Sequence, residues 1–174
     1  MRRPTYMLLF LLAAVAAWPQ AQKDPLTDSE AEQIREYADR PPDRIKLYMK
    51  FIEQRTSAIR QISSDAKDRS HGAKLHSLIE EFTRLVDELQ DNLDVYSKTH
   101  DDVRKVLKEV IEASSKWPAI LNQPPPDHAY DFSRKTALDA AASASDEARK
   151  MLAEQDKYFA ELKAKSKKDP PKPE

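Results

Sequence analysis

The sequence contains no cysteine and a single glycine, Gly72, among its 174 residues. Without cysteine the chain has no disulfide, no thiolate metal ligand, no thiol nucleophile and no cysteine-linked lipid. Tight turns and β-bulges favour glycine because it tolerates positive φ, so this composition suits a β-protein poorly. It also excludes the glycine-rich loops that cradle phosphates. The fold must therefore rest on packed helices, and we predict an all-α protein.

Aromatic residues are also scarce, at 7%, whereas charged residues make up 34% and the formal net charge is only −1. This balance is typical of long helices that expose charged faces and bury one apolar stripe. Lysine and glutamate alternate along the chain instead of forming a basic face that follows a phosphate backbone. We therefore expect no nucleic-acid partner, and the composition points to no cofactor.

The first 17 residues have the pattern of a secretory signal peptide. Two arginines precede an apolar stretch over residues 7–17, which ends in small residues suited to cleavage. Since a membrane-spanning helix needs about 20 apolar residues, we expect cleavage after Ala17, with a site near Ala21 as the alternative, and no stable anchor afterwards. These features predict a bacterial periplasmic or secreted protein, with a short linker over residues 18–26.

Two helices are predicted between residues 27 and 67. Thr27 and Glu30 form a capping-box pattern at the start of the first. Pro41-Pro42 interrupts the pattern, because proline lacks an amide donor and disfavours helix in the residue before it. We predict a short helix over 28–39 and a long one over 42–67, with one kinked helix as the alternative. Apolar residues recur here in steps of seven, as in helices packed on other helices: Ala31, Ala38, Ile45, Ile52, Ile59 and Ala66.

The strongest pattern lies in the centre of the chain. An uninterrupted apolar repeat in steps of seven is formed by Leu75, Phe82, Leu89, Tyr96, Val103, Val110 and Trp117. A turn would have no reason to preserve this phase, and no glycine or proline marks one. We therefore predict a single helix over 73–117, roughly 65 Å long. The alternative is a second helix opened by a capping box of Thr99 and Asp102. The glycine-bearing segment 68–72 is predicted to be a turn.

The proline-rich segment 122–127 predicts a second turn, followed by a last helix over 129–165. The central line of this helix in steps of seven is Leu138, Ser145, Leu152 and Phe159. The stretch 136–148 is rich in alanine, whose small side chain lets helices approach closely. Residues 166–174 are rich in lysine and proline, and we predict that they form a disordered tail.

Together these elements predict an elongated antiparallel three-helix bundle over residues 27–165, with a long central helix and a short helix before Pro41-Pro42. In helix number and heptad phase the chain resembles spectrin-type three-helix bundles. That resemblance covers shape alone and implies no function. The chain also resembles uncharacterised exported all-helical proteins of bacteria, from which no activity can be carried over.

The sequence contains no recognisable catalytic or metal-binding motif. Its histidines are never three or four residues apart, the spacing that places two ligands on one helical face: His71, His76, His100 and His128. Acidic doublets such as Glu80-Glu81 stand near lysine or arginine at helical spacing, so we expect them on a solvated face. The serine pairs Ser63-Ser64 and Ser114-Ser115 lie inside predicted helices, without an adjacent base or a strained turn. We expect no enzyme, no metal and no catalytic residue.

Three polar residues are candidates for a polar layer. Asn92, Thr99 and His100 bring polar side chains to both flanks of the central repeat at the same height. Such a layer fixes helix register, or responds to protons through the histidine. The competing interpretation is that both flanks face outward here and the side chains are simply solvated.

Four aromatic residues are candidates for a partner-binding patch. Trp117, Tyr130 and Phe132 flank the triple-proline turn, and Phe51 lies off the main line of its helix. An exposed apolar cluster of this kind marks a protein-binding site. The competing interpretation is that these side chains cap the end of the bundle and cover the loop.

The functional hypothesis is an exported helical interaction or structural module, which binds protein partners or a second copy of itself in the cell envelope. It follows from extensive exposed helix surface and from the absence of catalytic motifs. The alternative is a small periplasmic sensor or ligand-binding bundle that uses Asn92, Thr99 and His100. A membrane-surface protein is the least favoured class, because the helices are mixed in charge instead of basic on one face.

Overall fold

The computed structural model describes residues 24–64 and 70–168. All regular structure within these residues is helical, which confirms the all-α prediction. Six helices occur among them: α1 (Asp28–Glu36), α2 (Pro41–Ser63), α3 (His71–Thr99), α4 (Arg104–Ser114), α5 (Trp117–Leu121) and α6 (Asp131–Lys168). None of these helices is long and apolar enough to cross a membrane. The predicted signal peptide lies outside the described residues.

The first two helices begin where the sequence predicts. The Thr27 hydroxyl accepts a hydrogen bond from the Glu30 amide, and the Glu30 carboxylate accepts one from the Thr27 amide, so the capping box is confirmed. α1 ends at Glu36 instead of residue 39. α2 then starts at Pro41, with both prolines in its first turn, where an amide donor is not needed. The chain thus forms two helices here, not one kinked helix.

The prediction of one helix over 73–117 is wrong, because the chain leaves the helix at His100. This residue adopts a left-handed conformation with a φ of 59°. The His100 amide donates to the Ser97 carbonyl, and the Asp101 amide donates to the Tyr96 carbonyl. These two bonds form the Schellman arrangement, which satisfies the last carbonyls of a helix and redirects the chain.

A new helix opens after this corner, although not through the capping box that the sequence suggests. α4 begins at Arg104, whose amide donates to the Asp102 carboxylate at 3.3 Å. Thr99 belongs to α3, where its hydroxyl donates to the Val95 carbonyl at 3.1 Å. The alternative interpretation of a second helix is therefore right about the break and wrong about the residue that caps it.

Side-chain contacts give the directions of α3 and α6. His76 of α3 contacts Ser133 of α6, and further along both helices Gln90 contacts Glu147. The residue numbers thus rise in the same direction in the two helices. α6 therefore runs parallel to α3. α2 runs antiparallel to α3, because Arg55 near the end of α2 contacts Glu81 near the start of α3.

α4 and α5 return along the bundle in the direction opposite to α3. Arg104 at the start of α4 contacts Asp156 late in α6, whereas Ile111 lies beside Arg149. The returning segment brings the Trp117 ring edge-on against Phe82 of α3, with centroids 5.5 Å apart. α2 and α6 each pack against α3 and against the α4–α5 segment. The described residues thus form a bundle of four segments where we predicted three, because the predicted central helix is split. α3 and α6 run in one direction, and α2 and the α4–α5 segment run in the other.

The core lies along the shared axis of these segments. All seven residues of the central repeat are buried, although they come from α3, the corner, α4 and α5. In α6 the predicted central line is only half-buried. The core face of α6 is the neighbouring line, formed by four alanines and one methionine: Ala137, Ala141, Ala144, Ala148 and Met151.

The proline-rich loop before α6 is fixed by two side chains. The Tyr130 hydroxyl donates to the Pro125 carbonyl at 2.5 Å, and Arg134 donates to the Pro124 carbonyl at 2.8 Å. Gly72 is the second residue of α3, and not part of a loop between helices as we predicted. A Cβ added there would stand 3.2 Å from the Ala129 Cβ, so glycine permits the close approach of this loop.

The boundaries of α6 differ from the prediction at its end. The helix continues to Lys168, so residues 166–168 are helical where we expected a disordered tail. Residues 169–174 lie outside the described residues, as do residues 65–69 between α2 and α3.

Candidate functional site

The three residues of the predicted polar layer do not meet in one site. Asn92 is half-buried, whereas Thr99 and His100 are exposed at the end of α3. The His100 ring stacks on Tyr158 of α6, with centroids 4.2 Å apart and 15° between the ring planes. Asn92 and Thr99 stand about 10 Å apart along the helix axis. The geometry therefore does not assemble the ligand site that a sensor built on these residues requires.

Asn92 belongs instead to a polar cluster between α2 and α3. Its side-chain amide donates to the Glu88 carbonyl at 2.7 Å, and its side-chain carbonyl accepts from the Tyr96 hydroxyl at 3.3 Å. On α2, burial and the nearby charge of Glu88 raise the pKa of Tyr48, and the guanidinium of Arg44 partly opposes this rise. Burial likewise raises the pKa of the Glu88 carboxyl. The cluster pairs polar groups that the interface removes from water.

The predicted aromatic patch is not a surface in this structure. Phe51, Trp117 and Tyr130 are each at most 2% exposed and belong to the core, so the interpretation as a partner patch is wrong for these three. They are buried because α4 and α5 fold back over α2 and α3, which the prediction of a single central helix did not anticipate. Phe132 is 82% exposed and remains available for contact.

A serine, a histidine and a glutamate form a chain between α3 and α6. The Ser133 hydroxyl lies 3.0 Å from Nδ1 of His76, and Nε2 of His76 lies 3.2 Å from a carboxylate oxygen of Glu80. Sequence reasoning missed this chain because the serine and the histidine are 57 residues apart. Ser133 is buried in the first turn of α6, so a substrate has little access to its hydroxyl. Nucleophilic catalysis also requires hydrogen-bond donors that stabilise an oxyanion. We interpret the chain as a contact that fixes the register of the two helices.

Arg55 forms a buried ion network that joins α1, α2 and α3. Its guanidinium donates to the two carboxylate oxygens of Glu30 at 2.6 and 2.8 Å, to Glu81 at 3.1 Å and to the Pro25 carbonyl at 2.8 Å. The hydrogen bond from Arg55 outweighs burial and lowers the pKa of Glu30 to about 2. Sequence reasoning missed this network, because a lone arginine in a helix is ordinarily a surface residue.

An open groove of about 470 Å³ lies between α3 and α6 in the half of the bundle near the His100 corner. Its floor contains Leu93 and Met151, which are 3% and 6% exposed. We call this feature the α3–α6 groove. It is lined from α3 by Asp87, Gln90, Asp91, Leu93, Asp94 and Ser97, and from α6 by Glu147, Lys150, Met151 and Glu154.

The rim of the α3–α6 groove is strongly acidic. Five carboxylates and one ammonium line it. Lys150 pairs with Glu154 at 4.0 Å, and Lys98 pairs with Asp94 at 2.6 Å. Each of these exposed pairs contributes under about 1 kcal/mol, and five carboxylates against two ammonium groups leave the rim negative. Partial desolvation of its carboxyl group, reinforced by the charge of Asp91, raises the pKa of Asp87. The sequence displays these acids, but only the packing of α3 on α6 brings them together.

The last part of α6 extends beyond the bundle. Residues 160–167 are all exposed, and the segment 160–168, which we call the α6 free end, is about 14 Å long. It is rich in alanine and lysine, which sustain a helix without tertiary packing, and lysines near a helix C-terminus complement its dipole. The free end carries Lys163, Lys165 and Lys167 beside Leu162, which is 43% exposed.

No group of three or more histidine, aspartate or glutamate side chains within residues 24–64 and 70–168 is arranged to hold a metal ion. Comparisons with known protein families, with curated proteins and with solved structures find no match to this chain. The function must therefore be inferred from the surfaces just described.

Proposed function

We propose that this protein is an exported helical interaction module, which binds protein partners in the cell envelope through the unpartnered end of its last helix. The observation that carries this proposal is the α6 free end. It remains helical to Lys168 without contributing a buried side chain to the bundle beyond Gln155. A helix of this kind presents a preformed binding element, so a partner has less ordering entropy to overcome.

The composition of the free end is suited to binding a protein. Leu162 supplies an exposed apolar contact, and the lysines around it supply charges that orient a partner. Phe132, at the opposite end of α6, is a second exposed apolar side chain. The proposal includes no catalytic step.

Site-specific photo-crosslinking in the host cell tests the proposed function. A photo-reactive amino acid at Leu162 is expected to give one or a few discrete adducts. The same amino acid at Gln61, an exposed position on α2, serves as the matched control and is expected to give none. A lack of adducts at Leu162, or the same adducts at both positions, contradicts a binding role for the free end.

Export is tested by sequencing the N-terminus of the protein recovered from cells. We expect the mature chain to begin at Trp18, or at Gln22 if the alternative cleavage site is used, and to be found outside the cytoplasm. A recovered chain that keeps Met1 contradicts the proposed export.

The absence of catalysis is tested at Ser133. We expect the wild-type protein to hydrolyse a simple activated ester no faster than the Ser133→Ala variant. A rate that depends on Ser133 and His76 would show that their hydrogen-bonded chain acts on substrates, against this proposal.

A further inference from the structure

We propose that the α6 free end of one copy occupies the α3–α6 groove of a second copy, so that this protein binds itself. This inference rests on the proposed function, because it names the partner of the same free end. Three observations support it: matching length, matching polarity and opposite charge.

The groove and the free end have the same length. The groove follows α3 from Asp87 to Ser97, which is about 15 Å of helix, and the free end is about 14 Å long. The groove belongs to α3 and to residues 147–154 of α6, and the free end is a later part of the same unbroken helix. A chain therefore cannot place its own free end in its own groove, and the occupant must come from another molecule.

The apolar parts of the two surfaces complement each other. The groove has an apolar floor at Leu93 and Met151 beneath a polar rim. The free end has one exposed leucine, Leu162, among charged residues. A leucine seated on that floor would remove apolar surface of both copies from water, which is the driving term in association. Such helix-in-groove recognition is a recurrent mode of protein binding.

The charges of the two surfaces are opposite. The rim carries Asp87, Asp91 and Asp94 from α3 and two glutamates from α6. The free end carries four lysines, Lys163, Lys165, Lys167 and Lys168, with Glu161 as its single acid. Opposite charges at an interface set specificity and speed association, and they exclude wrong orientations of the two copies. If each copy gives its free end and accepts that of the other, the assembly closes at two copies.

Sedimentation of the mature chain gives the first test. At about 100 µM protein and about 0.05 M salt we expect the mass of a dimer, and at about 0.5 M salt we expect dissociation to be favoured by at least tenfold, because salt screens exposed charges. A mass that stays monomeric at the lower salt concentration overturns the proposal.

Charge reversal gives the sharper test. The free-end variant combines Lys163→Glu, Lys165→Glu and Lys167→Glu, and the groove variant combines Asp87→Lys, Asp91→Lys and Asp94→Lys. All six positions are exposed, so both variants are expected to fold, which circular dichroism checks. Each variant alone is expected to be monomeric, and an equimolar mixture is expected to form a dimer of one variant with the other.

A variant with the same change of charge on α1 and in the turn after it serves as the control. Glu32, Glu36 and Asp39 are exposed, and α1 packs against α2, which lines neither surface. Glu32→Lys, Glu36→Lys and Asp39→Lys should therefore leave the dimer intact. Dimers that persist in both charge-reversed variants, or a mixture that stays monomeric, overturn the proposed contact. A monomeric chain that still gives a discrete adduct with a different protein from Leu162 would refute self-binding and leave the broader function standing.

Discussion

The two helices that pack on α3 contribute to the core in different ways. α2 contributes large buried side chains, namely Ile45, Tyr48, Phe51, Ile52 and Ile59. α6 contributes mainly alanines, namely Ala137, Ala141, Ala144 and Ala148. Burying a large aliphatic side chain stabilises a fold by about 1.5–3 kcal/mol and burying one methylene by about 0.8 kcal/mol. We infer that the packing of α2 supplies most of the stability. The small side chains of α6 let this helix lie close to α3, and the acidic groove lies between these two helices.

The largest effect is expected on the α2 side, at Arg55. Arg55→Ala leaves the buried carboxylate of Glu30 without its cation, which is expected to lower the free energy of unfolding by about 3–5 kcal/mol. Urea denaturation monitored by circular dichroism measures it. The control is Arg60→Ala, since Arg60 is 44% exposed and its pair with Glu53 should contribute under about 1 kcal/mol. Equal losses in the two variants would show that burial of the network adds nothing.

Acid should weaken the same network through Glu30. Its pKa in the folded protein is about 2, below the ordinary value of 4.5. The stabilisation is therefore fully present above about pH 4.5 and is lost as the pH falls toward 2, by about 3 kcal/mol in all. Urea denaturation at several pH values measures this loss. In Glu30→Gln we expect the free energy of unfolding to lack the part that depends on the ionisation of Glu30. Glu32→Gln, at an exposed position of the same helix, is expected to retain it.

On the α6 side, the sensitive change should be an increase in side-chain size. Ala144 is fully buried, and Ala144→Leu forces a larger side chain between closely packed helices, at an expected cost of about 1–3 kcal/mol. Ala142→Leu is the control, because Ala142 is exposed and the change should stay within about 0.5 kcal/mol. Thermal melting of the two variants checks this difference. A tolerated Ala144→Leu would mean that α6 is held less closely than the structure shows.

The smallest effect is expected at the corner between α3 and α4. His100 has a positive φ, which glycine adopts without strain and alanine does not. Both His100→Gly and His100→Ala remove the stacking on Tyr158, so their difference isolates the backbone. We expect the glycine variant to be more stable than the alanine variant by about 1 kcal/mol in urea denaturation. Equal stabilities would show that the corner does not hold this conformation in solution.

The same corner explains why the number of helices was predicted wrongly. Tyr96 and Val103 keep the seven-residue phase on both sides of it because each faces the same core, not because one helix connects them. No glycine marks the turn, since a histidine takes the left-handed position, as it does more often than most residues. A repeat of buried residues thus reports burial and not continuity of the helix.

The residue that completes the corner comes from a distant part of the chain. The Gln155 side chain donates to the Asp101 carbonyl at 2.7 Å and accepts from the Val103 amide at 3.2 Å. These bonds satisfy backbone groups that the end of α3 and the start of α4 leave unpaired. Nothing within a few residues of His100 in the sequence predicts this partner.

The candidate sites were predictable where they depend on local pattern and unpredictable where they depend on packing. The capping box of Thr27 and Glu30 involves neighbours, and it was predicted correctly. The α3–α6 groove and the Arg55 network join residues that are far apart in sequence, so their chemistry emerges only from the arrangement of helices. Trp117 was a surface candidate because it stands near the triple-proline turn in the sequence, whereas the structure packs it against Phe82 in the core.

The partners of Arg55 also imply an order of assembly. The Arg55 guanidinium contacts Glu81 only after α2 and α3 have paired. This contact orients the guanidinium, whose remaining donors then bind the carboxylate of Glu30. α1 should therefore dock last and detach first when acid protonates that carboxylate, leaving the remaining helices assembled. Its amide protons would then exchange with solvent as a separate unit, faster than those of α2 and α3. In this view α1 binds to a bundle that has already folded, and it can leave that bundle without unfolding it.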